Sequence, residues 1–500
     1  MNHKDIKNEV ITQLKKEYPN WKSIPRKMKK EIAGKVLKEV IAEYDFKQSI
    51  TTPTEKLLGI ENQIPTKGII TLDKMAQYIK NIHCDRIFKL SSYDRSSIYI
   101  KDEELQFVDQ LVDDRVINTI LSYEGYSPAM REVLPCHCLR AELLKAIKYP
   151  EISYRKFCTK EYFGLERKQN RVFMGLPLHT STTIEHTRLS KFRSNLTFVQ
   201  QINLLVYFIH HFHQSGLLGD QSICAVDSTE LANDCRIPLA SVTVRGKKVR
   251  IYSDLDCDCG SRRNKRDKSI FVVGYRLHTL TVIDAKSKQS FPLVSLVAPA
   301  NHHDSHFLPF LIKLAQAMGL DIKLVTADEA YHDKDGSLFE ETGVIVTTPP
   351  SILVNPPVNV APKTGEVFCH DECTIPMQHV GSEGQKLEYK CDAEPGQCLH
   401  SETCPQYRFV AMDRGLFQRM PFTSKGIEEA HKIRKNCERP FNLLKNQTGL
   451  EKIRVRSQHA TMARCTFSTI AVLLIKMAGK RKKRKIVKEP MYLLERAANM

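Results

Sequence analysis

Two stretches decide the fold: ICAVDST at 223–229 and KLVTADEAY at 323–331. Each is a short apolar run that ends on an acidic residue, Asp227 in the first and Asp328 in the second. Apolar runs of four or so residues bounded by polar ones read as buried strands, so both carboxylates are expected at the carboxyl edge of a strand. Outward from these, Ile270–Val282 and Phe291–Val297 read as strands on either side of the polar turn 284–290, Ser305–Met318 as a helix, and Val344–Thr347 as a strand running into Pro349-Pro350. The order is three strands, helix, strand, helix, strand.

That order is the one of a ribonuclease H-like α/β core, a mixed sheet flanked by helices. Around it the sequence divides into an N-terminal, mainly helical region at 1–95 and a second helical region at 96–220. The core's first part follows at 221–350, a cysteine-rich insertion at 351–424, the core's second part at 425–479 and a basic tail at 480–500. In the first region Met28, Ile32, Val36, Val40 and Ile41 recur at helical spacing; in the second, Arg140–Ile147, Tyr154–Phe163 and Phe192–Phe212 read as helices, with a turn at Thr180–Thr183.

With 75 Lys+Arg against 57 Asp+Glu, a formal charge of +18, the chain favours a polyanionic partner, nucleic acid before membrane, although a generally basic protein has the same composition. Its 15 cysteines, without a secretory signal, fit a reducing cytosol. The longest apolar run, near Phe467–Ile475, falls short of the ~20 residues that span a bilayer, so no membrane segment is expected.

Two carboxylates on adjacent strand ends repel unless a cation lies between them, and Mg²⁺ or Mn²⁺, as hard ions, prefer oxygen ligands. Taken singly, each Asp is better explained as a strand-end cap; their shared context favours the pair. The third element is HKIRKNCERPFNLLK at 431–445. At about 100° per residue on one helix, His431, Arg434, Glu438 and Lys445 fall within about 60° of each other, beside an apolar stripe of Ile433, Cys437, Phe441 and Leu444. Pro440 must kink that helix or begin a new one. An amphipathic surface helix with ordinary charge pairs has the same pattern.

Asp227, Asp328 and Glu438, together with the HxxRxxxExxxxxxK pattern from His431 to Lys445, resemble the bacterial insertion-sequence DDE transposases, whose third acidic residue sits in a Y-x2-R-x3-E-x6-K signature. GYRLH at 274–278, NHHDS at 301–305, DEAYHD at 328–333, SYRKFC at 153–158 and FGLERKQNRVFMGL at 163–176 extend the resemblance over roughly residues 137–478. His431 stands where the family has Tyr. The resemblance implies two Mg²⁺ or Mn²⁺ ions held by Asp227, Asp328 and Glu438, cleavage of transposon-end DNA, and attack of the freed 3′-hydroxyl on target DNA. It further implies a homodimer assembled on DNA and a cytoplasmic, nucleoid-associated place of action. Arg434, Lys445 and His431 are assigned to DNA, and Arg245, Lys247, Arg262 and Arg263, in the basic runs RGKKVR and SRRNKRDK, to the flanks of a DNA channel or to solvated loops.

Cys369, Cys373, Cys391, Cys398 and Cys404 stand in a polar setting where four of them would suffice for a structural Zn²⁺, or remain surface thiols. The insertion carries too few apolar residues for a core of its own, which makes metal ligation its expected source of order. The CDC at 257–259 reads as an incidental loop. Two other readings stand beside this one: a nuclease without strand transfer, which uses the same triad, and a DNA-binding descendant that no longer cuts, which is expected to have lost at least one of the three acidic residues, whereas all three are here.

Overall fold

The computed structural model describes residues 3–498 except 49–65, 83–98, 123–132, 220, 236, 245–246, 264–268, 285–288, 303, 332–336, 349–357, 362–364, 371, 385, 395–396, 398–402, 412–431, 433, 452 and 454. His431, Arg245, Cys398 and much of the run 261–268 lie outside the described residues.

The strands are β1 (Ile223–Ala232), β2 (Ala240–Val244), β3 (Lys247–Ile251), β4 (Asp258–Arg263), β5 (Ser269–Ile283), β6 (Ser290–Pro299), β7 (Leu324–Thr326) and β8 (Ile345–Thr347). The main sheet runs β4-β5-β1-β7-β8, with β6 also paired to β5. β1 and β5 are antiparallel, as are β5 and β6, whereas β1, β7 and β8 run parallel. The three-strand meander and the following helix–strand units thus appear in the order read from the sequence. The crossover from β6 to β7 contains the Leu308–Ala317 helix, and the one from β7 to β8 contains Ser337–Thr342. Parallel strands need such crossovers, since a tight turn can join only antiparallel ones.

Burial accounts for the apolar runs. Cys224, Ala225, Val226, Val325 and Ala327 are fully buried, as expected of strands covered on both faces. Above them, one large core joins the Pro135–Lys148 and Phe198–Gln214 helices, the sheet and the long Gln458–Ala498 helix. Phe467, Ile470, Leu473 and Leu474 of that helix are fully buried, each burial being worth about 1.5–3 kcal/mol, and Phe467 stacks on Phe192 at 5.8 Å. By length and composition alone, Gln458–Lys480 could cross a membrane, but 78% of its apolar window is buried inside the protein, which marks a core helix.

Several expectations from the sequence need correction. Tyr154–Phe163 divides into Tyr154–Phe157 and Lys160–Phe163, and Phe192–Phe212 divides into His186–Asn195 and Phe198–Gln214. In the second case Thr197 and Gln200 form a capping box, a local signal that outweighs the continuous periodicity. Residues 247–250 of the basic run are not a free loop: they lie in β3, paired antiparallel with β2, and Val249 and Ile251 share a core with Leu239, Leu255 and the N-terminal helices His3–Glu17 and Arg26–Gln48. Ile6, Val10 and Leu14, four residues apart, supply one side of that core and Ala33, Val36, Leu37 and Val40 the other, while Met28 is 52% exposed and off the stripe. Trp21 Nε1 donates to Ser253 O at 3.2 Å, and Lys7 pairs with Asp258 at 2.5 Å. Nor is CDC an incidental loop, since Cys257 is buried and Asp258 opens β4.

The insertion forms its own sheet, β9 (Gln378–Glu383), β10 (Lys386–Lys390) and β11 (Tyr407–Ala411), in the order β11-β10-β9. Val360, Val367, Met377, Leu387, Tyr389 and Val410 bury a small core beneath it, so the expectation of an insertion with no apolar core is wrong. Alternation hides this core in the sequence: along β10 only Leu387 and Tyr389 face inward, between exposed Lys386 and Lys390.

Candidate active site

The first two carboxylates meet through strand register. Ile223, Cys224 and Ala225 of β1 lie opposite Leu324, Val325 and Thr326 of β7; Asp227 follows two residues further, inside β1 and not at its end, and Asp328 two residues beyond β7, near enough for its charge to act on Asp227. Asp227 Oδ1 accepts the Ser228 N–H at 2.7 Å. Burial raises the Asp227 pKa, the charge of Asp328 adds to the rise, and the Ser228 N–H, Arg434 and Cys437 oppose it. A desolvated carboxyl beside another carboxylate is an environment that a bound cation relieves.

The third acidic residue lies on a segment that is not the single helix expected, and among the described residues no contact brings Glu438 to Asp227 or Asp328. The segment breaks into a 3-10 turn Lys435–Cys437, a short α-helix Glu438–Asn442 and a π-turn Leu443–Gln447. Pro440 falls in the first turn of the α-helix, where its missing N–H costs nothing, and the helix starts afresh there instead of continuing. Changes of helical pitch shift the phase of every later residue, so the common face computed for Arg434, Glu438 and Lys445 does not hold.

This segment docks through Phe441 and Leu444, buried in a core with Leu231, Leu277 and Val297, and through Cys437. The Cys437 side chain packs on Ala225 and Ile283, and its thiol donates to Asp227 Oδ2 at 3.6 Å. Burial, followed by the neighbouring Asp227 charge, pushes the thiol up to about 12, so it stays protonated as a donor. Glu438, the next residue, is exposed. Arg434 Nη2 lies 3.4 Å from Asp328 Oδ1. Lys445 is 4.0 Å from Glu451, and among the described residues no contact brings it to the carboxylates. Lys247 opens β3 opposite Val244, and Arg262 and Arg263 lie in β4 opposite Ile270 and Ser269; none of the three has a described side chain.

Residues that the chemical argument from sequence passed over surround the strand ends. Ser228 Oγ donates to Asp304 Oδ2 at 3.1 Å, and Arg276 Nη1 donates to Asp304 Oδ1 at 2.8 Å. His278 Nδ1 lies 3.0 Å from the Tyr331 hydroxyl and 3.7 Å from Asp304 Oδ1, its ring stacked on Phe307 at 4.3 Å. Burial drops the imidazole pKa to about 3 and raises that of the Tyr331 phenol. The available signal was GYRLH, NHHDS and DEAYHD as motifs. Their convergence depends on register, which puts Arg276 and His278 opposite Glu230 and Ser228.

In the insertion, the thiols of Cys369, Cys391 and Cys404 lie within 4.8 Å of one another, close enough to share an ion. Cys373 hydrogen-bonds to Cys369, and its own Sγ lies 3.4 Å from Ile375 O. Burial, with the neighbouring thiols, raises the pKa of Cys369 and of Cys391. No disulfide occurs among the described residues.

The chain is similar to the piggyBac transposase in a cryo-EM structure of its synaptic complex with hairpin DNA, at 9% identity over 80% of this chain and 77% of that one, with a TM-score of 0.28, too low to carry an argument. Among curated proteins none matches. The model of the transposase DDE domain matches residues 219–474, just over half the sequence and the span from the start of β1 to the buried part of the last helix. The chain therefore belongs to the transposase DDE-domain family.

Proposed function

We propose that this transposase cleaves transposon-end DNA and joins the freed 3′-hydroxyl to target DNA, with Asp227, Asp328 and Glu438 as the metal-binding carboxylates. The observation that carries the reading is the pairing of β1 with β7, which brings Asp227 near enough to Asp328 for its charge to act, while Cys437 seats the Glu438 turn against β1. Two Mg²⁺ or Mn²⁺ ions fit this all-oxygen donor set and, when bound, would activate the attacking hydroxyl and stabilise the leaving oxygen.

The protein's own groups do the rest. Asp227 is held by the Ser228 N–H and the Cys437 thiol, so its carboxylate is oriented before DNA arrives. Arg434, 27% exposed at its side chain and resting on Asp328, is placed to exchange that carboxylate for a DNA phosphate. We assign Lys445 to a phosphate contact as well, and read the strand order as a ribonuclease H-like core of the insertion-sequence type with a YREK-like signature in which His431 replaces Tyr. A homodimer on DNA, end binding by the 96–220 helices and action at the bacterial nucleoid belong to the same reading.

For the insertion we infer one structural Zn²⁺ held by Cys369, Cys373, Cys391 and Cys404. Tetrahedral Zn–S bonds of about 2.3 Å set sulfurs about 4 Å apart, within the clustering found for three of these thiols.

The test of the activity uses the terminal inverted repeats flanking the coding region as substrate. The full chain with Mg²⁺ should nick them at the 3′ ends and insert them into plasmid DNA, and Asp227→Asn should abolish both while DNA binding persists. Nicking by the Asp227→Asn protein would refute the assignment; nicking without insertion by the unaltered chain would make it a nuclease.

A further inference from the structure

We propose that Tyr331, His278, Asp304 and Ser228 form a buried clamp that positions two carboxylates for metal binding, an inference that rests on the reading of Asp227 and Asp328 as metal ligands. These are positioning residues, and none is assigned a contact with DNA or metal.

The geometry is specific. Tyr331 sits three residues beyond Asp328 in the Glu329–Tyr331 turn, and its N–H donates to the Asp328 carbonyl at 2.9 Å. Its hydroxyl meets His278 Nδ1 at 3.0 Å and also hydrogen-bonds to Ser228. Ser228 is the residue after Asp227, whose Oδ1 accepts the Ser228 N–H, and the Ser228 hydroxyl donates to Asp304. One phenol therefore ties the turn that ends in Asp328 to the strand segment that carries Asp227. His278 and Arg276 come from β5, Asp304 from the turn before the Leu308–Ala317 helix, so three distant segments converge on one serine.

Stability alone is a poor account of this cluster. Tyr331 is 1% exposed and His278 fully buried, and Asp304 with Arg276 forms an ion pair whose side chains are both 15% exposed. Desolvating such groups costs about what their pairing returns, and well-packed apolar residues would join the strands at least as firmly. What apolar residues lack is direction. Hydrogen bonds fix the rotation of Ser228, whose N–H holds Asp227, and the height of the Asp328 turn. The neutral imidazole suits this role, because a ring buried at pKa about 3 keeps one proton across the working pH range; carried on Nδ1 it is donated to the Tyr331 oxygen, which leaves the phenol proton for Ser228 and the Ser228 proton for Asp304.

Residues that orient metal ligands in this way typically contribute about 10–100-fold to metal affinity. The experiment is Mn²⁺ titration of the full chain followed by electron paramagnetic resonance, with melting in chelator recorded alongside. Asp227→Asn identifies the site's own share of binding. Tyr331→Phe and Ser228→Ala are expected to weaken that share by about 10–100-fold at a temperature where both are folded, and Ser228→Thr, which keeps the hydroxyl, to restore most of it. If Tyr331→Phe does not fold, the Ser228 pair gives the answer. Lower melting temperatures with unchanged Mn²⁺ affinity would overturn the clamp and leave a purely structural cluster. Unchanged Mn²⁺ binding by Asp227→Asn would instead overturn the metal-ligand reading itself.

Discussion

Gly449→Ala tests how the third carboxylate is held. Gly449 follows the π-turn that ends at Gln447 and has φ of +72°, in the left-handed region where a side chain costs about 1–2 kcal/mol. A Cβ built there would stand 2.5 Å from the carbonyl oxygen of Pro150, a backbone atom with no rotamer in which to escape. Gly343, with φ of +69° and nothing within 4 Å of its Cβ, is the matched control for conformation without collision. Gly343→Ala should cost about 1 kcal/mol. Gly449→Ala should cost about 3 kcal/mol, the excess being the collision. For a unit of a few hundred residues these translate into melting-point drops of about 2–4 °C and 6–12 °C. The displacement is expected to reach the chemistry, because Leu444 O accepts from both the Leu450 N–H and the Thr448 hydroxyl, and Arg464 Nη2 donates to Thr448 O, so a shift at Gly449 is carried back to Leu444, six residues after Glu438. An ångström of misplacement at a carboxylate ligand can cost about 100-fold in rate, so Gly449→Ala should nick end DNA far more slowly even well below its melting point, and Gly343→Ala should not. Equal melting points for the two variants, or full nicking by Gly449→Ala, would refute the reasoning.

Arg434→Ala and Lys445→Ala should each weaken end binding and reduce the slope of log affinity against log salt by about 0.9, and slopes equal to the unaltered protein's in a filter-binding series would make both residues structural. Cys391→Ser should lose the zinc measured by elemental analysis and open residues 369–404 to protease, whereas zinc-free protein from the unaltered sequence would return the thiols to a metal-free core. Because the folded-state pKa of Asp227 is raised, its charged form destabilises the metal-free fold, with no penalty below the unfolded carboxyl value of about 3.9 and the full penalty above the raised one. Chelated Asp227→Asn protein should therefore melt higher than the unaltered chain near pH 7 and no higher near pH 4; a lower melting point at pH 7 would contradict the burial and repulsion described.

Strands β1, β5, β6, β7 and β8 were legible because each contains a compact apolar run, whereas the polar β4 was not; nor does Asp227 end its strand as expected, since β1 continues to Ala232, while Asp328 lies two residues beyond β7. The Glu438 segment was legible as composition and misread as geometry. Helical spacing assumes one pitch, and the 3-10, α and π turns around Pro440 supply three. The Asp304 cluster was visible only as motifs, since whether Arg276 and His278 reach Ser228 depends on a pairing register that no local pattern encodes. Among the insertion's cysteines, spacing left the choice of ligands open; the β10–β11 hairpin, with Cys391 N–H bonded to Gln406 O, brings Cys391 and Cys404 together across a long gap in sequence.

The Gln458–Ala498 helix has a consequence for how this protein can be divided. The part matching the DDE-domain model, 219–474, looks like a portable module, yet Phe467, Ile470, Leu473 and Leu474 share their core with the 135–148 and 198–214 helices as well as with the sheet. Excised at those limits, the module would present a bare apolar face to water and should aggregate. The unit that is inherited, expressed or recombined as one piece must begin no later than about Met75 and reach Met477, whereas the N-terminal pair of helices has a separate core with β2 and β3 and is the part most open to exchange.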